Sequence, residues 1–158
     1  MIRKDREITD RDVIESILRE ALVCRIALCE VDTPYIVPMN FGYRDGCLYF
    51  HSAKKGRKID ILEKNNCICF EVDVRTEGVP ADDACKWSMR YYSVIGFGKA
   101  YLVDDPEEKA RGLDIIMEKY SGGGTFKYSD ASLSNVVIIN VKIDEVTGKK
   151  AGYQGCTL

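Results

Sequence analysis

The sequence predicts a mainly β domain, a six-stranded antiparallel barrel with a few helices at its periphery. Strand-like segments dominate the chain, and the helical patterns are few and lie outside them. Asp45-Gly46 stands between two strand-like segments and is a strong signal for a tight hairpin. That tight connection argues against a doubly wound parallel sheet, whose strands need long crossovers.

Each element follows from local pattern. Thr9 with Asp12 resembles a capping box, and Val13, Ile14, Ile17, Leu18 and Ala21 recur with helical period behind it. From Leu22 to Glu30, Cys24, Ile26 and Leu28 alternate with Arg25, Ala27 and Cys29, which predicts the first strand. Asp32-Thr-Pro34 turns the chain into a second strand, Tyr35 to Tyr43, and Cys47 to His51 forms the third. Lys58 to Glu63 reads as a short helix and Asn66 to Val74 as a fourth strand. Val79 to Cys85 reads as a loop before a long fifth strand, Trp87 to Val103, in which Gly96 and Gly98 mark a bend or bulge. Asp105-Pro106-Glu107-Glu108 starts a helix with a capping aspartate, a first-position proline and acids in the first turn. Ala110, Leu113, Met117 and Tyr120 mark its buried stripe, and Ser121-Gly-Gly-Gly-Thr125 ends it. Asn135 to Ile143 is the sixth strand.

The 158 residues suit one domain, 1–158, with a real core. With 46% hydrophobic and 30% charged residues and a formal net charge of -2, nothing favours nucleic acid or a membrane surface. The charged N-terminus lacks the apolar stretch of a signal peptide, and no run approaches a membrane span. Seven cysteines in such a chain suggest reduced thiols and a cytoplasmic location, with Cys156 in the tail as the most reactive. There is no C-x-x-C and only one histidine, so zinc is disfavoured.

The densest chemical signal is Ser52-Ala-Lys-Lys-Gly-Arg-Lys58, between the third strand and the short helix. A hydroxyl, four cations and a glycine there can serve one phosphate monoester with charge-assisted hydrogen bonds. A solvated basic turn is the competing reading. Because the overall charge is slightly negative, the cluster is local and suits a small anion.

Three blocks in series carry a resemblance: Pro38-Met-Asn-Phe-Gly42, Leu48-Tyr-Phe-His-Ser-Ala53 with Gly56-Arg-Lys58, and Trp87-Ser-Met-Arg-Tyr-Tyr-Ser-Val-Ile-Gly-Phe-Gly-Lys-Ala100. Together they resemble the nitroimidazole-resistance branch of the pyridoxamine-phosphate-oxidase-like flavoproteins, from about Arg3 to Lys150. The resemblance implies a split β-barrel that forms a two-fold homodimer with FMN in clefts at the subunit interface. It implies that Ser52, Lys54, Arg57 and Lys58 hold the ribityl phosphate, that Met39 and Asn40 edge the isoalloxazine, and that His51 and Ala53 lie beside the ring and ribityl chain. Trp87 is expected near the mouth of the cleft, over the partner's flavin. The chain lacks the arginine- and histidine-bearing C-terminal segment of the true oxidases, which argues against oxidation of that vitamin phosphate.

Single residues carry competing readings. His51 is either a polar neighbour of the flavin able to deliver a proton, hence the catalytic candidate, or a hydrogen-bonded strand-end histidine. Pro38 fits an edge strand or a strand facing a ring edge. Trp87, Tyr91, Tyr92 and Phe97 suit core or dimer interface better than flavin stacking. Glu71 and Asp73 share a strand face and read as solvated rather than as a catalytic pair. Two function classes follow. One is an FMN-dependent oxidoreductase that passes electrons to a small electron-poor acceptor such as a nitroaromatic. NAD(P)H would dock only transiently, since no GxGxxG motif is present. The other is a non-catalytic flavin-, deazaflavin- or haem-binding module, in which haem ligation could come only from His51.

Overall fold

The computed structural model describes residues 3–153. Its strands are β1 (Glu7–Ile8), β2 (Cys24–Glu30), β3 (Thr33–Met39), β4 (Gly42–Arg44), β5 (Cys47–Ala53), β6 (Cys67–Val79), β7 (Ser88–Val103) and β8 (Val136–Ala151). The helices are α1 (Arg11–Glu20), α2 (Arg57–Lys64), α3 (Pro106–Ser121) and α4 (Asp130–Ser134). All strand pairs are antiparallel, in the order β3-β2-β6-β7-β8-β5-β4, with β1 on β8. The fold class is the expected one, but the described residues form eight strands rather than six. The expected second strand breaks at Asn40-Phe41 into β3 and β4, and Glu7–Ile8 adds a short strand against Lys149 and Gly148.

One face of the sheet builds the core from alternate residues: Cys24, Ile26 and Leu28 of β2, Ile68, Phe70 and Val72 of β6, Leu48 and Phe50 of β5, and Val137, Ile139 and Val141 of β8. Strand β8 is also apolar on its other side, where Ile138 is buried beneath α3. Burial on both faces explains the uninterrupted run Val136–Ile139. Gly96 sits opposite Phe70, and a Cβ there would lie 2.4 Å from that ring. The bend expected at Gly96 and Gly98 is a register shift between Phe97 and Gly98 where β7 meets β8.

Several boundaries differ from expectation for physical reasons. The cap of α1 is Asp10, whose carboxylate accepts from the amides of Asp12 (2.9 Å) and Val13 (3.4 Å), so Thr9 is one residue too early. Strand β6 runs past Val74 through a bulge to Val79, and Arg75 adopts a positive φ of 53° there. The stretch read as a loop then holds a 3-10 turn at Ala84–Lys86. Strand β8 continues beyond Ile143 because its polar second half pairs with β7 from Tyr91 to Phe97, a partnership invisible to local hydropathy. Helix α4 is a single short turn capped by Ser129, too brief to show periodicity. Pro38 lies on β3, at the edge of the sheet, so its missing amide costs no ladder bond on that side. Glu71 and Asp73 are both tied to Arg25, at 3.0 and 2.7 Å, as befits a surface charge cluster. Cys156 lies outside the described residues.

Candidate functional site

A concavity of about 410 Å³ opens where β5 ends and α2 begins. It is lined by Tyr35, His51, Ser52, Ala53, Lys55, Gly56, Arg57, Lys58 and Ile59. The local sequence builds it directly. Alternation along β5 turns Phe50 and Ser52 inward and His51 and Ala53 to the other face. After Ala53 the chain leaves the strand, and Gly56, at φ 126°, makes the reversal that starts α2. The Gly56 carbonyl then accepts from the amides of Ile59 (2.8 Å) and Asp60 (3.1 Å). Ile59, Ile61 and Leu62 anchor the helix in the core, so its first turn is held rigidly beside Ser52. That turn also contributes amides with no intrahelical acceptor and the positive end of the helix dipole.

Two cations frame the concavity differently. Lys58 is half-buried, and its ammonium lies 3.5 Å from the sulfur of Met39. Burial pushes its pKa down, because no carboxylate offsets the lost hydration. Arg57 is exposed, with its guanidinium 4.7 Å from the centre of the Tyr35 ring and 3.4 Å from the Glu30 carboxylate. Ser52 is buried, 8% exposed, and presents its hydroxyl at the same strand end. A buried hydroxyl, a desolvated ammonium, a guanidinium held only by exposed partners and a helix N-terminus therefore converge on one open space. Donors of these kinds are the ones a phosphate-sized anion requires.

Residues 10–150 match the family model described as pyridoxamine 5'-phosphate oxidase. The chain belongs to that family. Its likeness to solved structures is extensive. A Bacteroides thetaiotaomicron protein with the provisional name of a 5-nitroimidazole antibiotic resistance protein is 39% identical, with a TM-score of 0.82 over 91% of this chain and 86% of that one. An FAD and heme binding protein from Mycobacterium smegmatis gives a TM-score of 0.84 at 19% identity, covering 94% of this chain and 74% of that one. A flavocytochrome from Azotobacter vinelandii gives 0.79 at 20% identity, over 93% and 70% of the two chains. At such identities the last two speak for the fold, which is the split barrel of flavin-binding proteins. The comparison with curated proteins found no match.

Within this family member, the residues expected at the cofactor are not all brought together. His51, Ser52, Ala53, Arg57 and Lys58 line the concavity, and Met39 reaches it through Lys58. Lys54 does not line it. Its ammonium turns to Asp104, 2.8 Å away at the end of β7, and Lys55 takes the place beside Gly56. Asn40 is exposed at the β3–β4 corner and Trp87 is 60% exposed beside the 3-10 turn; neither lines the concavity of its own chain. Tyr35 is the lining residue that sequence reading passed over, since a strand tyrosine gives no sign that an arginine five positions after Ser52 will lie across it. Lys109 was also missed. It is 2% exposed and donates to Asp104 (2.9 Å) and to the carbonyls of Leu133 (2.5 Å) and Val136 (3.3 Å), joining the Lys54–Asp104 pair to α4 and β8.

Proposed function

We propose that this protein binds FMN through its phosphate at Ser52, Arg57 and Lys58, and serves as an oxidoreductase for a small electron-poor acceptor such as a nitroaromatic. The observation that carries the reading is the convergence of Ser52, Lys58 and the first turn of α2 on one concavity, with no carboxylate among the described residues that line it. Arg57 already has only an exposed ion pair with Glu30, and such pairs contribute little, so a phosphate can take over its guanidinium. When bound, FMN would supply two-electron chemistry that no side chain here provides. The protein's part is placement: Met39 and Asn40 beside the isoalloxazine, Ala53 beside the ribityl chain, and His51 as the group that could hand a proton to the reduced acceptor. His51 is half-buried at the strand end and lines the same concavity, which supports that role.

A homodimer belongs to the same proposal. The outer face of β7 carries Met89, Ile95, Phe97 and Tyr101, all large, apolar or aromatic, and 44–54% exposed. Four such side chains on one face of a strand, though interrupted by Ser93 and Lys99, are expensive to leave in water and suit a second copy. Trp87 and Asn40, which stand clear of their own concavity, would then be free to meet the partner's cofactor.

Spectrophotometric titration of purified protein tests the reading. Saturable binding of FMN but weak binding of riboflavin is expected, followed by bleaching with NADPH and return of colour on adding a nitroaromatic. A flavin that binds but does not respond to either reagent would leave a binding module and defeat the oxidoreductase. Failure to bind FMN would defeat the FMN oxidoreductase and leave only a module for deazaflavin or haem.

A further inference from the structure

Two side chains of the β2–β3 hairpin fix where the Arg57 guanidinium stands at the concavity. Alternation along β2 places Glu30 on the same face as the buried Cys24, Ile26 and Leu28. Tyr35 lies opposite Leu28 in the register with β3 and packs against the core. Helix α2 lies on that end of β2, anchored by Ile59, Ile61 and Leu62, so Arg57 in its first turn reaches both residues. The guanidinium is 4.7 Å from the centre of the Tyr35 ring, and its Nε is 3.4 Å from the Glu30 carboxylate. Tyr35 and Arg57 line the concavity; Glu30 does not.

We infer that Tyr35 is the positioning residue for Arg57 and that Glu30 is the counter-ion a phosphate monoester displaces from it. The inference rests on the FMN reading and assigns two further residues to the same site.

The two contacts act on the guanidinium in different ways. A ring face attracts a cation but carries no net charge, so Tyr35 holds Arg57 without neutralising it. An arginine already held in place also has less ordering left to lose when an anion arrives. Glu30 competes instead, because a carboxylate and a phosphate want the same N–H donors. It is the carboxylate in ion-pair contact with Arg57, and Asp104, on the other side of the basic run, is taken up by Lys54 and Lys109. The Arg57–Glu30 pair is long and exposed, hence weak. A phosphate monoester brings a charge of about -1.5 to -2 near neutral pH against the single charge of the carboxylate. It also meets Lys55 and Lys58, which line the same space. The exchange therefore favours the ligand. Glu30 then remains beside it as a like charge, so its removal should strengthen binding.

Fluorescence titration of the full chain with FMN, and with riboflavin as the analogue that lacks the phosphate, tests the assignment. Tyr35→Leu should weaken FMN about 2- to 5-fold, whereas Tyr35→Phe, which keeps the ring, should leave it unchanged. Glu30→Gln should tighten FMN by about 2- to 5-fold. Neither Tyr35→Leu nor Glu30→Gln should move riboflavin, and both effects should vanish in an Arg57→Ala background. Should Tyr35→Leu fail to fold, Glu30→Gln with and without Arg57→Ala decides alone, since Glu30 is partly exposed at the hairpin end. Unchanged FMN affinity in Glu30→Gln or Tyr35→Leu, an equal loss in Tyr35→Phe, an equal change with riboflavin, or effects that persist without Arg57 would each overturn the inference while FMN binding itself stands. A parent protein that binds no FMN would defeat the flavin reading first, and this assignment with it.

Discussion

Two concavities of this molecule gather cations by opposite routes. At the end of β5, Lys54, Lys55, Arg57 and Lys58 are neighbours in the chain, and one glycine turn lays the last three around an opening. Between α1, β4 and α3, Arg19, Arg44 and Lys119 are separated by 25 and 75 positions and meet only because α3 packs over β4 and β5. The first cluster is local and the second is made by tertiary structure. The difference shows in their electrostatics. Exposed cations in the first group find weak surface partners and remain available. In the second group Arg19 and Arg44 are paired with carboxylates, while the half-buried Lys119 has only the Leu18 carbonyl and the Phe41 ring.

The largest effect expected concerns the first group. Arg57→Ala combined with Lys58→Ala should weaken FMN binding by about 3–6 kcal/mol, since each substitution removes a charge-assisted contact of ~1.5–3 kcal/mol. Equilibrium titration by flavin fluorescence gives the number, and an unchanged affinity would remove the phosphate from α2. The fold should be indifferent, because both side chains project from the first turn of a helix whose anchors are Ile59, Ile61 and Leu62.

How much could be seen in advance follows the same division. The Ser52–Lys58 cluster was legible because a strand end, a glycine and a helix start are all local signals. The barrel was legible because alternation and the Asp45-Gly46 hairpin are local too. Lys119 was not, since nothing in Met117-Glu-Lys-Tyr120 distinguishes a lysine that lies over Phe41 from one in solvent. The helical period predicts Ala110, Leu113, Met117 and Tyr120 as the buried stripe of α3, but its buried positions are Lys109, Gly112, Ile115 and Ile116. The Tyr120 hydroxyl accepts from the Phe41 amide at 2.9 Å and donates to the Leu22 carbonyl at 2.6 Å. Lys54 was misplaced within an otherwise readable cluster, because its partner Asp104 lies 50 residues away. Local chemistry named the cations; only the fold could say which way each one turns.

Next in size is the tie at the end of α3. Tyr120→Phe leaves the Phe41 amide without an acceptor at a fully buried residue and should cost about 1–3 kcal/mol in chemical denaturation. Because Phe41 is two residues from Met39, the same variant should shift the visible spectrum of bound FMN. A stability loss with an unaltered spectrum would separate the two regions.

A pH series sharpens the comparison further. The folded-state pKa of Lys119 lies near 7 and its ordinary value near 10.5, so between those limits the unfolded chain binds the extra proton. Stability then rises with pH, and the penalty is full only below about 7. Cys24 acts in the opposite sense above pH 9, its thiol held up to about 12 by burial, which confines the useful window to pH 7–9. The slope should fall well below the limit of about 1.4 kcal/mol per pH unit for one proton, since Lys119 is only half-buried. Denaturant midpoints measured across that window should climb in the parent protein and flatten in Lys119→Met. A parallel slope in both would mean that the ring and carbonyl hold the charge as well as water does.

The smallest effect belongs to Lys54. Its ammonium sits on Asp104, which is also 2.9 Å from the buried Lys109, so Lys54 is the outer and more exposed half of a shared pair. If the resemblance places it at the phosphate, Lys54→Ala should weaken FMN by as much as Lys58→Ala does. The geometry found here says otherwise: the loss should stay below about 1 kcal/mol, the ordinary value of an exposed ion pair, and should vanish in high salt. Asp104 would keep Lys109 as its partner, and the Lys109 bonds to Leu133 and Val136 would hold α4 against β8 without it. Lys55→Ala, by contrast, removes a cation that does line the concavity and should cost more than its neighbour. Reversal of that order would show that the loop re-aims when the anion arrives, and that a basic run read from sequence was a better guide to the bound state than the unliganded side chains.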